Sequence, residues 1–559
     1  MRSACFRYIF LLTMLSAFAG FAQTKPEPKK EEPAKEKVAI TEEIEVVRPY
    51  MPVLADASKI RRSPDLNSRK PFKPNLNYSI LDKRLELNSD LRQLQAEDLN
   101  QLPPAVLKNN YAKVGAGNAG TALGEIYINT GADPALQAGG YLKHINQSGD
   151  LEKQTYSRQD AGIFGKSIQN QVTWNGALNY DRFSTFLYGF DPENISANLN
   201  PSRQRFGTLN LKGEVLKNYT DSSKADYAGK IDAYMLRNSR DTKENSYTLS
   251  GFFNKVWRDF NIGANTSIDF TAQKDSAYDI SNNLIRINPY IKLQGKNYKL
   301  SLGINLVKEF GTESRTNLFP TVIGELPIVP GYATIFGGYT GDVLKSTIRN
   351  FSQENPFIGS NIPIENAIEK SNIYGGIKGN AGAGFGFKAM VYLKTIEDMP
   401  LFTNSKKGFQ TFDVIYDRGN STTFGLEGEL SVKASEILDL SGRVQMNEFK
   451  MGTEEQAWYK PNFRLFSNAR LSLKKKFILN AELVLNGDSN GLTYDQPSLT
   501  RRVITVASYV DLSVGAEYEI KQKIGVFLRA NNLFGNEYQR YLYYPNLGLN
   551  ILGGLNYSF

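Results

Sequence analysis

One histidine, His144, and one cysteine, Cys5, occur in 559 residues. Those two counts exclude much chemistry. A disulfide framework, cysteine zinc sites, haem attachment and iron–sulfur ligation all need more. Cys–His catalysis and most Ser–His catalysis fall as well, since one imidazole would have to serve every step. His144 lies in Tyr141-Leu-Lys-His-Ile-Asn146. It could act as a general base only beside a nucleophile and an orienting carboxylate. No signature supplies them, so a polar loop or rim histidine is expected. Gly115-Ala-Gly-Asn-Ala-Gly120 matches G-x-G-x-x-G. A dinucleotide site needs a helix after that motif, whereas Ala122-Leu-Gly-Glu-Ile-Tyr-Ile-Asn129 alternates as a strand. These glycines read as places where the backbone bends, as do those in 379–386.

The carboxylates Glu427, Glu429, Asp439, Glu517 and Glu519 could be read as acid/base pairs. The better reading has them line a lumen and face Arg443 and Arg529 across its water, where they shape field and selectivity. No catalytic, metal-ligating or cofactor-binding residue is expected, and the chain is read as a non-enzyme.

The elements that must carry these charges are strands. From about Val114 onward apolar residues recur at every second position. Leu512, Val514, Ala516, Tyr518 and Ile520 alternate with Ser513, Gly515, Glu517 and Glu519. Leu438, Leu440, Val444 and Met446 oppose Asp439, Ser441, Arg443 and Gln445. Leu300, Leu302, Ile304 and Leu306 oppose Ser301 and Asn305. Each window is about ten residues long, enough to cross a hydrocarbon layer when tilted. One face is apolar and aromatic, the other polar and charged. So many strands would enclose a lumen too wide for side chains to fill. Tyr and Trp near the ends of the apolar stripes suit interfacial girdles. The apolar face therefore points to lipid. Tight connections at 474–476 and 521–523 contrast with long ones at 451–460, 487–503 and 534–547. Short turns on one rim and long loops on the other fit an outer-membrane barrel. The expectation is an all-β fold: a large antiparallel transmembrane β-barrel over 113–559. It should have about 20 strands, an even number between 16 and 22. The loop at 350–371 either folds inward or forms an exposed tip.

The N-terminal part differs. Residues 1–22 have the form of a secretory signal peptide: Arg2 and Arg7, an apolar run, then Gly20-Phe21-Ala22. Cleavage there removes Cys5 and takes the net charge of +9 to about +7 (9 − 2). No run of 18 apolar residues follows. Residues 23–39 are a Pro/Lys/Glu linker with nothing to bury. Residues 40–112 form a short periplasmic segment or partial plug. Hydrophobic residues make up 41% and aromatics 12%, which excludes wholesale disorder. The basic residues are dispersed and no nucleic-acid motif accompanies them, so no nucleic acid is expected as a partner.

The last strand places Ile551, Gly553, Leu555, Tyr557 and Phe559 on one face, and the chain stops at Phe559. This resembles the β-signal read by barrel-insertion machinery. Arg529-Ala-Asn-Asn-Leu-Phe-Gly-Asn-Glu-Tyr538, then Tyr543-Tyr-Pro-Asn-Leu-Gly548, then Gly554-Leu-Asn-Tyr-Ser-Phe559 is similar to the closing hairpin of TonB-dependent receptors. Thr423-Phe-Gly-Leu-Glu-Gly-Glu-Leu430 resembles one of their barrel strands, and the Tyr/Asn-rich alternation resembles Bacteroidota versions. Glu43, Ile44, Glu45, Val46 and Val47 resemble a TonB box, an extended string able to add a strand to a TonB-like partner. The departure is the plug. Those receptors carry a globular plug, whereas only about 60 residues separate Tyr50 from the first barrel strand.

The resemblance implies a barrel in the outer membrane of a Gram-negative cell, with its N-terminal arm and C-terminus in the periplasm. Its expected partners are outer-membrane lipids, the insertion machinery, and a TonB-like or other envelope protein. Two functions follow. One is a pore or solute-uptake and binding channel. The other is a non-transport barrel subunit of an envelope complex, docked through its N-terminal arm. An outer-membrane hydrolase comes last.

Overall fold

The structure is a computed structural model that describes residues 110–130, 135–191, 200–218, 225–257, 260–295, 297–380, 384–433, 437–473, 476–495, 498–521 and 523–559. The signal peptide, the linker, the string Glu43–Val47 and the segment up to residue 109 lie outside them.

The first hairpins are β1 (Tyr111–Gly117), β2 (Ala122–Asn129), β3 (Leu136–Ser148), β4 (Thr155–Ile168), β5 (Val172–Phe186), β6 (Arg203–Lys217), β7 (Asp226–Asn238) and β8 (Lys243–Trp257). Next come β9 (Phe260–Lys274), β10 (Asp279–Gln294), β11 (Lys299–Gly311), β12 (Thr316–Val329), β13 (Ala333–Leu344), β14 (Ala367–Asn380), β15 (Phe385–Ser405) and β16 (Gly408–Lys433). The last barrel strands are β17 (Leu438–Lys450), β18 (Phe463–Leu473), β19 (Phe477–Asn486), β22 (Tyr509–Lys521), β23 (Ile524–Asn531) and β26 (Asn550–Ser558). Two small hairpins, β20 (Ser489–Asp495) with β21 (Thr500–Val506) and β24 (Gln539–Tyr541) with β25 (Tyr544–Pro545), stand outside the main sheet.

Every barrel strand pairs antiparallel with its neighbours in sequence, and β1 pairs with β26, so 22 strands close a ring. This even number is the upper bound of the expected range. The barrel begins at Tyr111, two residues before the expected 113, because Tyr111 pairs with both Tyr127 and Ser558.

Closure explains the glycines around position 115. A Cβ on Gly117 would lie 2.1 Å from the Ile551 carbonyl oxygen, and one on Gly554 2.0 Å from that of Val114. Both strands of the seam approach too closely for a side chain. Gly120, with φ +55, makes the turn after β1. No nucleotide-binding strand–helix unit is present at the motif.

Exposure settles which face is which. Val114, Ile163, Leu302, Ile304, Leu426, Met446, Leu528 and Leu555 are exposed on the outside of the ring, while Glu427, Asn305 and Arg286 are buried within it. Apolar side chains on the outer surface of a closed barrel are what a hydrocarbon solvent selects. Trp174, Tyr227, Trp257, Tyr298, Tyr332, Tyr518 and Tyr557 are exposed near the strand ends on one rim, forming an aromatic girdle there. That rim carries both ends of the barrel and the short turns, among them 169–171 and 330–332. The other carries the long connections, among them 345–366, 451–462, 487–508 and 532–549. Among the described residues no helix is long and apolar enough to cross a membrane.

Candidate functional site

The long-loop rim holds the largest buried apolar cluster among the described residues. Phe206, Tyr234 and Leu236 enter it from β6 and β7. Leu401, Phe402, Phe412, Val414 and Tyr416 enter from the outer extension of β15 and β16, Trp458 and Tyr459 from the β17–β18 connection, and Leu492 and Val506 from β20 and β21. Tyr541, Leu542, Tyr543 and Tyr544 complete it. In the ring order, β6 and β17 stand half a circumference apart. A continuous core joining them has to cross the mouth. We call this layer the cap.

Its centre is the β13–β14 connection. The helix α1 (Ile348–Glu354) starts at Thr347, whose side chain accepts from the Asn350 N–H at 3.0 Å. It stops at Asn355, which is extended because Pro356 follows. Two orphan N–H groups at its start reach Glu244 of β8: Ile348 donates at 2.7 Å and Arg349 at 3.1 Å. Tyr234 Oη and Gln273 Nε2 donate to the same carboxylate at 2.7 and 2.5 Å, and Glu244 has no exposed surface. The Arg349 guanidinium lies 4.4 Å from the Tyr234 ring centroid. Glu244 is thus the point at which the cap is fastened to the wall.

After α1 the chain joins the opposite side. The Gly359 N–H donates to the Phe412 carbonyl at 2.8 Å, and the Phe412 N–H to the Phe357 carbonyl at 3.0 Å. Phe357 and Tyr544 stack at 3.6 Å, and Tyr188 packs edge-on to Tyr544 at 4.9 Å. Tyr541 Oη donates to the Glu354 carbonyl at 2.8 Å and Tyr544 Oη to that of Gln410 at 2.5 Å. Burial raises the Tyr188 hydroxyl to about 12, so it remains a donor, here to the Pro545 carbonyl at 3.1 Å. Burial lowers the Lys460 ammonium below its usual range, with Glu354 at 3.9 Å pulling it back. The connection after β17 is held by Asp417, which accepts from the N–H groups of Gly452, Thr453 and Glu454, each at 2.7 Å.

Beneath the cap lies the charged inner wall. Arg443 donates to Glu427 at 2.5 Å and lies 3.4 Å from Glu429, with Lys388 4.0 Å from Glu427. These contacts run sideways between β15, β16 and β17. They do not reach across the lumen, as facing charges would. Asp439 stands beside Lys433 and Arg470 in the strand register. Glu517 accepts from Lys113 at 2.7 Å across the seam, and Lys113 also lies 4.1 Å over the Phe527 ring. Glu519 alternates inward beside the exposed Tyr518 and Ile520, and Arg529 pairs in register with Gly515 and Leu552. The structure therefore gathers Lys388, Glu427, Glu429 and Arg443 into one group and Lys113 with Glu517 into another.

His144 is in β3, not in a loop, on the outward face with Leu142 and 3.1 Å from Gln159. Among the described residues no group of three or more His, Cys, Asp or Glu could hold a metal ion. The 487–503 connection is a hairpin, and 350–371 divides into α1, an inward-folded stretch and the start of β14. Of the cap, sequence reasoning offered only the inward alternative for 350–371, which the buried Phe351, Ile358 and Ile362 bear out, and it missed the rest. The one signal was the aromatic density of its loops, such as Tyr541 to Tyr544 and Trp458-Tyr459. At the last strand, Phe559 donates its N–H to the Asn110 carbonyl at 3.0 Å and stacks on Tyr557 at 5.7 Å.

No protein-family model matches the sequence, and no curated protein matches it. Solved structures do match in fold. The FrpB iron transporter from Neisseria meningitidis aligns with TM-score 0.62 and 11% identity, over 83% of this chain and 83% of that one. The ferric-catecholate import receptor Fiu from E. coli gives 0.61 and 11%, over 81% and 82%. FpvA from Pseudomonas aeruginosa, bound to pyoverdine, gives 0.60 and 13%, over 82% and 79%. One is a transporter and two are receptors, and at 11–13% identity the likeness is one of fold. The described residues close a barrel of 22 strands, and its fold is that of these receptor and transporter barrels, the TonB-dependent-receptor barrel fold.

Proposed function

We propose that the protein is an outer-membrane uptake barrel that is shut at rest. A solute would bind at the cap and cross when the cap is displaced. In this reading the short-turn rim and both termini are periplasmic. The signal peptide at 1–22 directs export, and Glu43–Val47 offers an extended string to a TonB-like partner. The observation that carries the reading is the apolar core joining strands half a circumference apart. Free diffusion through an open lumen does not suit a mouth crossed by Trp458, Phe412 and Ile358, all essentially without exposed surface. The paired charges of the inner wall, Glu427 with Arg443 and Glu517 with Lys113, would line the passage below.

A second reading draws on the same core. If the cap never opens, the barrel is a non-transport subunit of an envelope complex, docked through residues 24–110. Single-channel conductance in planar bilayers separates the two. The full-length protein should be silent. A variant with 350–362 replaced by a short glycine–serine linker should conduct or, if 24–110 is a second barrier, should conduct once that arm is also removed. Steady open steps in the unaltered protein would refute a barrel shut at rest. Silence in every variant, together with proteins that co-purify only when 24–110 is present, would favour the subunit.

A further inference from the structure

The short-turn rim is electrically one-sided. Lys255, Lys299, Lys433, Lys476, Lys521 and Lys523 are all exposed there. The acids of the same rim, Asp226, Asp439 and Glu519, are buried or half-buried. Among the described residues no ion pair engages Lys255, Lys299, Lys476, Lys521 or Lys523. Among the described residues the excess of charge on this rim therefore lies with the exposed lysines.

Their neighbours say what they face. Lys255 is two residues from Trp257 on the same outward face of β8, and Trp257 is 57% exposed. Lys299 follows the exposed Tyr298. Lys521 lies three residues beyond the exposed Tyr518, and Phe477, next to Lys476, packs against Tyr518 at 6.5 Å. The Lys523 carbonyl accepts from Ser558, between the exposed Tyr557 and Phe559. Exposed rings at strand ends sit at headgroup depth, so the ammonium groups beside them meet headgroup phosphates. We infer that this lysine collar binds anionic phospholipid headgroups and gathers them around the short-turn rim. The inference rests on the membrane-inserted reading of the barrel, and on the proposed orientation only for which leaflet is involved. A lysine near a lipid surface favours anionic over neutral lipid by about fivefold at low salt, and added salt screens that preference.

The molecule carries its own probes. Of its three tryptophans, Trp174 and Trp257 lie on the outer face near this rim, and Trp458 is sealed in the cap. The full-length protein is placed in phosphatidylcholine vesicles holding the same small fraction of either brominated phosphatidylglycerol or brominated phosphatidylcholine, and tryptophan quenching is compared. The inference expects several-fold stronger quenching by the glycerol lipid. The excess should fall at high salt, disappear in the combined variant K255Q/K299Q/K476Q/K521Q/K523Q and persist in the matching Lys→Arg variant. Equal quenching by both lipids overturns the collar. So does an excess untouched by Lys→Gln, which would assign it to other groups. Absence of quenching by either lipid refutes membrane insertion itself, a separate failure.

Discussion

Glu244→Ala tests the cap most directly. The substitution strands four buried donors: the N–H groups of Ile348 and Arg349, Tyr234 Oη and Gln273 Nε2. Each orphaned donor costs at least about 1 kcal/mol. The fastening of the cap should therefore weaken by about 4 kcal/mol, raising its detached population roughly a thousand-fold. The ring of strand pairs does not depend on this residue, so a heat-modifiable gel shift should survive. Glu244→Gln keeps one acceptor oxygen and should cost about half as much, roughly 30-fold. The assay is amide hydrogen exchange in detergent, read at Phe351 and Asn355, whose N–H groups close the turns of α1 at 3.1 and 2.8 Å. Their protection should drop in the order wild type, Gln, Ala, and the Ala variant should show transient conductance. Unchanged protection at both amides in Glu244→Ala would refute the account of the fastening, whatever the conductance.

Other consequences can be checked singly. Gly117→Val and Gly554→Val place side-chain atoms where a Cβ already meets a carbonyl oxygen at 2.1 or 2.0 Å; each should abolish heat modifiability, whereas Gly176→Val, with nothing within 4 Å of its Cβ, should not. Asp417→Asn replaces one acceptor oxygen by a donor opposite three N–H groups; the loss of about 1–3 kcal/mol should show as faster proteolysis within 451–462 and unchanged cleavage elsewhere. Deleting Phe559 removes its bond to Asn110 and its stack on Tyr557; the yield of heat-modifiable barrel should fall sharply, and a normal yield would remove any role in insertion.

What could be read in advance follows from periodicity. A strand repeats every two residues, and a barrel wall with lipid on one side imposes that repeat without interruption. Leu302, Ile304 and Met446 therefore announced their outward direction from the alternation of their neighbours. The glycines near 115 could be assigned to backbone geometry because no helix followed them. The cap obeys no repeat. Phe206, Phe412 and Tyr544 meet because loops from distant strands converge, and nothing local in the sequence encodes that convergence. The lateral pairing of Arg443 with Glu427 and Glu429 was hidden for a related reason: alternation assigns a residue to a face, while register decides its neighbour. The loop alternative for His144 failed because its polarity was weighed above the strand rhythm of Leu142 and its neighbours.

The cap core has a temporal consequence. Its members run from Phe206 to Tyr544 in the chain, so its contacts are among the longest in sequence that the molecule makes. Such contacts form late, after shorter loops have been closed and their entropy lost. Each wall hairpin can zip onto the one before it, but Phe206 and Tyr544 cannot meet until nearly every strand between them is in place. The cap therefore consolidates late, and its completion reports that the strands between Phe206 and Tyr544 have been laid down in register. A chain stalled midway would leave Tyr541, Tyr544, Phe412 and Trp458 uncovered. Those aromatic loops would mark an unfinished barrel for chaperones or proteases, and the mark would vanish on completion.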